Sequence, residues 1–139
     1  MKVQIVTNQE DAIQGYINYN IRDIGVMSSS LANNECEQIL ALNTLSLFSE
    51  EEVANFLGVL ISKLRINGEL IVSGIDQTLF CKSVLNESLD QTSANRVIAQ
   101  SKSMLKMDAV KNFLTSGGLK LEQYRFNGIN YEIRAKRSN

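Results

Sequence analysis

The sequence contains no histidine, no proline and no tryptophan among its 139 residues. Without histidine, Ser-His-Asp and Cys-His catalysis, His-ligated zinc and imidazole proton relays are excluded within this chain. An average protein is about 5% proline, so the absence of proline argues against Pro-rich linkers and rigid extended arms. We expect a single domain over residues 1–139, because this length suffices to bury a core.

The chain also lacks an excess of positive charge, with 14 Lys and Arg residues against 15 Asp and Glu residues and a net charge of −1. Non-specific binding to nucleic acid or to an anionic membrane is therefore not favoured. No apolar run approaches the ~20 residues of a membrane-spanning helix, and Thr7 interrupts the apolar N-terminus before a signal-peptide core forms. These features predict a cytoplasmic protein without membrane association.

Neither the cysteines nor the acidic residues form a pattern typical of a metal site. Cys36 and Cys81 lie in apolar segments, which indicates buried free thiols in a reducing compartment. A single disulfide between them is the alternative. The acidic run 50–52 is consecutive, so its carboxylates point in different directions on a helix. We predict no metal site.

The clearest pattern in the sequence is a strand–helix–strand unit. Ser49 followed by three glutamates is a capping box, with its carboxylates at the positive end of the helix dipole. Helical spacing then continues through Val53, Phe56, Leu57, Leu60, Ile61 and Leu64. Asn67-Gly68 is typical of a helix stop, and the apolar runs 37–43 and 69–76 are typical of buried parallel strands. The unit predicts a parallel sheet with helices packed on its faces.

The remaining segments complete the predicted fold. Alternating patterns predict strands at 2–6 and 17–24. The composition of residues 25–34, rich in Ser, Asn and Gly, predicts a loop. We expect helices at about 78–88, 92–102 and 107–116. Asn127-Gly128 lies between the alternating runs 119–126 and 129–136, which predicts a hairpin with a type I′ turn. We therefore expect an α/β fold: a three-layer Rossmann-like sheet, mostly parallel, with a C-terminal antiparallel β-hairpin.

Residues 23–136 resemble the later part of class I S-adenosylmethionine-dependent methyltransferases, whose Rossmann-like sheet ends in an antiparallel hairpin. The resemblance is carried by the segments 39–45, 49–53, 64–72 and 118–121. These motifs are architectural, so they are specific for the fold of the family rather than for its activity. The resemblance implies that S-adenosylmethionine is the cofactor if the chain is active.

The sequence departs from the family pattern near its beginning. Members that bind the cofactor have a Gly-rich loop after the first strand, because glycine lets the backbone approach the ligand closely. Here Thr-Asn-Gln-Glu-Asp follows the first strand, and Gly15 and Gly25 form no GxGxG motif. With 17–24 taken as the third strand of the family, one strand–helix unit is missing. We expect a domain truncated at its N-terminal side that lacks the Gly-rich cofactor loop.

The resemblance implies three cofactor-binding candidates. Asp23 takes the place of the acidic residue of the family near the adenine, while Asn43 and Asp76 follow the fourth and fifth strands, at the edge where open α/β sheets bind ligands. For each residue the alternative is structural, as a cap or as a partner for loop backbone. Asp76 would serve as a general base only with a substrate proton within reach and a raised pKa. No catalytic residue is predicted.

These observations favour a methyltransferase-like domain that has lost cofactor binding and catalysis and serves as a binding, regulatory or structural module. No cofactor is then expected. Loss of a strand and its covering helix exposes a sheet edge, which predicts a homo-oligomer or a protein partner that covers it.

Two alternatives to this inactive module remain. One is an active methyltransferase, or a subunit of one, completed by a partner chain, because alignment of the nucleophile does not require histidine. A weaker alternative is a small phage-type assembly component.

Overall fold

The computed structural model describes residues 1–138, which form six strands and five α-helices. The elements are β1 (Lys2–Val6), β2 (Ile17–Asn20), α1 (Ile24–Ser30), β3 (Cys36–Ala41), α2 (Glu50–Lys63), β4 (Leu64–Ile75), α3 (Gln77–Leu85), α4 (Gln91–Gln100), α5 (Met107–Ser116), β5 (Leu119–Asn127) and β6 (Asn130–Arg137). Short 3₁₀ turns lie at Gln9–Asp11, Ile21–Asp23 and Leu45–Leu47.

All six strands belong to one mixed sheet with the order β2-β1-β3-β4-β6-β5. The first four strands are mutually parallel, whereas β6 lies antiparallel between β4 and β5. The predicted α/β class, the mostly parallel sheet and the C-terminal hairpin are thereby confirmed.

The core lies between one face of this sheet and helices α1, α2 and α5. Strand residues on that face are apolar and fully buried, for example Val3, Ile39 and Val72. The helices contribute Met27, Val53, Phe56, Leu57, Leu60, Val110 and Leu114 to the same cluster. At ~25 cal/mol per Å² of apolar surface removed from water, burial of this set is the main contribution to stability.

The opposite face of the sheet is crossed by a shorter connection. Crossovers between parallel strands are right-handed. The connection from β1 to β2 runs toward one edge of the sheet, whereas the later connections run toward the other edge. The two kinds of connection therefore pass over opposite faces. The step from β1 to β2 uses only residues 7–16, which contain a single 3₁₀ turn. In the described residues, the third layer of the expected arrangement is thus reduced to this segment.

A chain of polar contacts runs across this second face. The Tyr16 hydroxyl donates to Oε1 of Gln38, whose Nε2 donates to Oε1 of Glu69 at 2.8 Å. Glu69 Oε2 lies 3.8 Å from Nη1 of Arg134. These side chains stay partly exposed, so this part of the second face is polar, whereas Leu40 and Ile71 on the same face are buried.

Helix α2 begins as the sequence predicts and ends differently. The capping box is present, with Glu52 N–H donating to Ser49 Oγ at 3.3 Å and Ser49 N–H donating to Glu52 Oε1 at 3.0 Å. The chain enters β4 directly at Leu64, and Asn67, at φ +66°, lies in a bulge of that strand. Gly68 is required there, because a Cβ would lie 2.7 Å from the carbonyl oxygen of Cys36.

The prediction of a strand over 17–24 followed by a loop over 25–34 is partly wrong. Strand β2 ends at Asn20, whose Oδ1 accepts a hydrogen bond from Arg22 N–H at 3.0 Å and starts a 3₁₀ turn. Helix α1 then follows, because burial of Met27 in the core outweighs the weak helix propensity of its serines.

The hairpin is confirmed, but its turn lies one residue later than predicted. Asn127 pairs with Asn130 in the ladder, so Gly128 and Ile129 form the two-residue loop. Gly128 has φ +63°, and Ile129 does not have a positive φ. A positive φ at the first loop residue alone is typical of a type II′ turn.

Helices α3 and α4 form a hairpin at the carboxyl edge of β4 and bury little of their surface. Each helix buries one side chain, Phe80 and Ala94 respectively. Both cysteines are free, as predicted; Cys36 is buried, but Cys81 on α3 is exposed. The prediction of two buried thiols is wrong for Cys81.

Candidate functional site at the carboxyl edge of the sheet

Asn43 lies two residues after the carboxyl end of β3 and has a left-handed conformation, at φ +57°. Its N–H donates to Ser73 Oγ at 2.7 Å, and the Ser73 hydroxyl lies 3.4 Å from Asn43 Oδ1. Asparagine tolerates this region of φ better than most residues. The contact with β4 therefore fixes the Asn43 backbone where the parallel strands end.

A cleft of about 350 Å³ opens beside Asn43. Its walls come from the turn after β3, the end of β4, the start of β6, and the last turn of α4. The lining residues are Asn43, Ser46, Leu47, Gly74, Ile75, Val97, Gln100, Ser101 and Asn130. None of these side chains is ionisable at neutral pH, so the cleft can bind neutral polar groups but supplies no charged acid or base.

Ser46 joins three walls of this cleft. Its Oγ accepts a hydrogen bond from Ile75 N–H at 2.9 Å, and its carbonyl oxygen accepts one from Lys102 N–H at 2.8 Å. Since Lys102 follows α4, these bonds attach the end of that helix to β4. Ser46 therefore links the turn after β3 to β4 and to the end of α4.

Gly74 allows close packing at the floor of the cleft. A Cβ at this position would lie 2.8 Å from the hydroxyl of Tyr131 and 3.2 Å from Cβ of Leu45. Tyr131 is 1% exposed, and burial together with the nearby charge of Asp76 raises the pKa of its hydroxyl. The phenol therefore stays neutral and acts as a packing group.

Asp76 lies one residue after β4 and is 3% exposed. Its Oδ2 accepts a hydrogen bond from Leu79 N–H at 2.9 Å, and its Oδ1 accepts one from Met107 N–H at 2.8 Å. One carboxylate thus caps the first turns of both α3 and α5. Asp76 is not among the residues that line the cleft.

The third candidate, Asp23, lies apart from the other two. It is exposed and forms the junction between the 3₁₀ turn after β2 and helix α1. Strand β2 is the sheet edge, two positions from β3. Of the three predicted residues, the structure places Asn43 in the cleft, Asp76 beside it as a helix cap, and Asp23 at the outer edge.

The connection from β1 to β2 is held by a residue in the middle of β1. The Gln4 side chain is 6% exposed; its Nε2 donates to the carbonyl oxygen of Asp11 at 2.9 Å, and its Oε1 accepts from Ile13 N–H at 2.8 Å. These two bonds hold residues 7–16 against the second face of the sheet.

The sequence did not indicate the roles of Ser46, Ser73, Gln4 or Tyr131. Gly74 carried a usable signal, because glycine inside a strand often marks a close approach of other groups. Within residues 1–138, no group of three or more Cys, Asp or Glu side chains is arranged to hold a metal ion. None of the helices described in this range is long and apolar enough to cross a membrane.

No protein-family model matches the chain, and no curated protein matches its sequence significantly. Solved structures do resemble it. An S-adenosylmethionine-dependent methyltransferase from Archaeoglobus fulgidus superimposes with a TM-score of 0.67 at 13% identity, covering 96% of this chain and 74% of that one.

Two further solved structures give the same result. A possible histamine N-methyltransferase from Thermotoga maritima has a TM-score of 0.66 at 13% identity, with coverage of 98% and 81%. Magnesium protoporphyrin IX methyltransferase from Synechocystis, solved with bound SAH, has a TM-score of 0.58 at 16% identity; 94% of this chain spans 56% of that one. Over nearly its whole length, the chain has the fold of class I S-adenosylmethionine-dependent methyltransferases.

Proposed function

We propose that this chain is a methyltransferase-like binding module that neither binds S-adenosylmethionine nor catalyses methyl transfer by itself. The observation that carries the proposal is that Gln4, in the middle of β1, anchors residues 7–16, which follow this strand. In the family that the chain resembles, this is the place of the Gly-rich cofactor loop.

The composition of residues 7–16 supports this proposal. A cofactor loop needs bare backbone, because side chains block the approach of the ligand. Here the segment carries side chains at every position except Gly15. The two hydrogen bonds from Gln4 also use the backbone of Asp11 and Ile13 for an internal contact.

The length of the same connection supports the absence of one strand–helix unit of the family. Ten residues with a single 3₁₀ turn join β1 to β2, whereas a crossover that contains a helix needs a dozen residues or more. Together with the cleft, which presents only amides and hydroxyls as polar groups, this favours recognition of a neutral polar partner group over catalysis.

A second candidate is an active enzyme, or a subunit of one, completed by a partner chain. The polar part of the second face, with Gln38, Glu69 and Arg134, favours this candidate, because it offers hydrogen-bonding groups to a covering domain. Separately, β2 is an edge strand of the sheet, and an edge strand offers backbone groups for pairing with another chain. In this reading the partner supplies the cofactor loop and the cleft holds the methyl acceptor.

Isothermal titration with S-adenosylmethionine and with its demethylated product tests both candidates. For the purified chain we expect no heat of binding up to about millimolar ligand. Saturable binding by the chain alone would overturn the proposal. Binding that occurs only with a co-purified partner would favour the second candidate, and its absence in both preparations would reject that candidate.

A further inference from the structure

The sequence contains two Asn-Gly pairs, and the fold places them in different environments. Asn67 and Gly68 lie in the bulge of β4, whereas Asn127 ends β5 and Gly128 begins the hairpin turn. An asparagine that precedes glycine can lose its side-chain amide without an enzyme, because glycine has no side chain to shield its backbone nitrogen. Both pairs have the required sequence, so their surroundings decide which one reacts.

The reaction begins when the backbone nitrogen of the glycine attacks Cγ of the asparagine. A bond forms between these two atoms, the bond from Cγ to the side-chain nitrogen breaks, and ammonia leaves with the proton of the glycine N–H. Water then opens the resulting succinimide ring. Breaking the bond to Cγ gives aspartate, and breaking the bond to the backbone carbonyl carbon gives iso-aspartate, in which the main chain runs through Cγ.

The surroundings of Asn67 oppose this ring closure. Gly68 is buried, and a Cβ there would lie 2.7 Å from the carbonyl oxygen of Cys36 and 2.8 Å from that of Arg65. Strand β4 lies inside the sheet, between β3 and β6. Ring closure at Gly68 therefore requires a central strand to move away from its neighbours.

Asn127 lies on the open side of the hairpin tip. Both Asn127 and Gly128 are exposed, and a Cβ at Gly128 would have nothing within 4 Å. Among residues 1–138, no hydrogen bond is donated by Gly128 N–H. Strand β5 is an edge of the sheet, and its residues 122–127 are all exposed. Local opening costs little where few contacts are buried, so the end of β5 can open and admit water.

The other side of the turn is fixed, which confines this opening to β5. Asp76 N–H donates to the carbonyl oxygen of Ile129 at 2.8 Å, and Asn130 pairs with Ile75 of β4. Asn127 forms the last pair of the β5–β6 ladder, with Asn130. Separation of this one pair releases the peptide between Asn127 and Gly128 and leaves the rest of the sheet in place.

We infer that Asn127 is a site of spontaneous deamidation in the folded protein and that Asn67 is protected from it. The iso-aspartate product adds a carbon atom to the main chain, so the two-residue turn no longer fits the register between Asn127 and Asn130. Either product places a carboxylate beside Asn130, which lines the uncharged cleft. The modification would thus change both the hairpin and the charge near the cleft, whether or not a cofactor binds.

Incubation of the folded chain at mildly alkaline pH, followed by tryptic digestion and mass spectrometry, tests the inference. Trypsin cleaves after Arg125 and Arg134, and fragmentation of the resulting peptide distinguishes Asn127 from Asn130. We expect Asn127 to convert faster than Asn67 by about tenfold or more, which corresponds to a difference of about 1.4 kcal/mol in the free energy of opening. The rate should rise with pH, because the attacking backbone nitrogen must lose its proton.

The chain unfolded in urea is the reference, because unfolding exposes both Asn-Gly pairs equally, and there we expect similar rates at the two sites. Asn127→Gln keeps a side-chain amide but has to close a larger ring, so conversion at this position should be lost. Asn67→Gln is the matched control and should leave the rate at Asn127 unchanged. Conversion of Asn67 as fast as that of Asn127 in the folded chain would overturn the inference, as would an Asn127 that stays intact in the folded chain.

Discussion

The side chain of Gln4 binds the backbone of Asp11, seven residues away, through a hydrogen bond of 2.9 Å from Nε2 to the carbonyl oxygen. Its Oε1 simultaneously accepts from Ile13. A single buried amide thus fixes the connection between β1 and β2. The conformation of this connection underlies the proposed loss of cofactor binding.

Replacing Gln4 by leucine is expected to destabilise the protein by about 1–3 kcal/mol, because two backbone groups of the connection lose their partner. Amide hydrogen exchange in residues 9–16 should accelerate at the same time. Gln14→Leu is the control, since Gln14 is exposed in the same segment. Unchanged exchange in the Gln4 variant would show that other contacts hold the connection.

The capping box of α2 makes the stability of the protein depend on pH. Hydrogen bonds from Ser49 lower the pKa of Glu52 below its ordinary value of 4.5. A lowered pKa in the folded state means that this stabilisation is present above pH 4.5 and is lost as the pH falls through the folded pKa.

Denaturant unfolding between pH 7 and pH 3 measures this effect. We expect Glu52→Gln to reduce the loss of stability on acidification. Glu51→Gln, outside the capping box, should show the same dependence of the free energy of unfolding on pH as the wild type. Ser49→Ala should cost about 1 kcal/mol at pH 7. Identical pH profiles for the wild type and the Glu52 variant would contradict the assignment.

Gly74 and Gly58 form a matched pair for testing the floor of the cleft. Gly74→Ala should destabilise the protein by about 1–3 kcal/mol, because its Cβ would collide with the hydroxyl of buried Tyr131. Gly58→Ala, within α2, has nothing within 4 Å of the new Cβ and should stabilise the helix by roughly 0.5–1 kcal/mol. Chemical denaturation gives both values, and equal effects at the two positions would contradict the packing described.

Asp76 should behave as a structural cap. Asp76→Ala removes acceptors from Leu79 and Met107 N–H groups and is expected to cost about 1–3 kcal/mol. Asp108→Ala is the control, because the Asp108 side chain is 85% exposed on α5. Thermal unfolding compares the stability of the two variants. An Asp76 variant as stable as the Asp108 variant would contradict the structural role of Asp76.

Patterns within one element predicted much of the fold. The capping box of α2, the bounds of α5 at Met107–Ser116 and the hairpin after it agree with the prediction. Capping, helical spacing and alternation depend on neighbours within a few residues, so the sequence displays them directly. Asn43 was predicted from its place after a strand, because strand ends of parallel sheets meet at one edge; the structure places it in the lining of the cleft, and its role in binding stays a prediction.

The sequence by itself determined the class of the fold, the parallel unit around α2 and the closing hairpin. Only the tertiary structure decided that residues 24–30 form a helix, that Ser73 fixes Asn43 from 30 positions away, and that Gly74 makes room for Tyr131. Those outcomes depend on burial and hydrogen bonds between segments distant in the chain, and no local propensity encodes them.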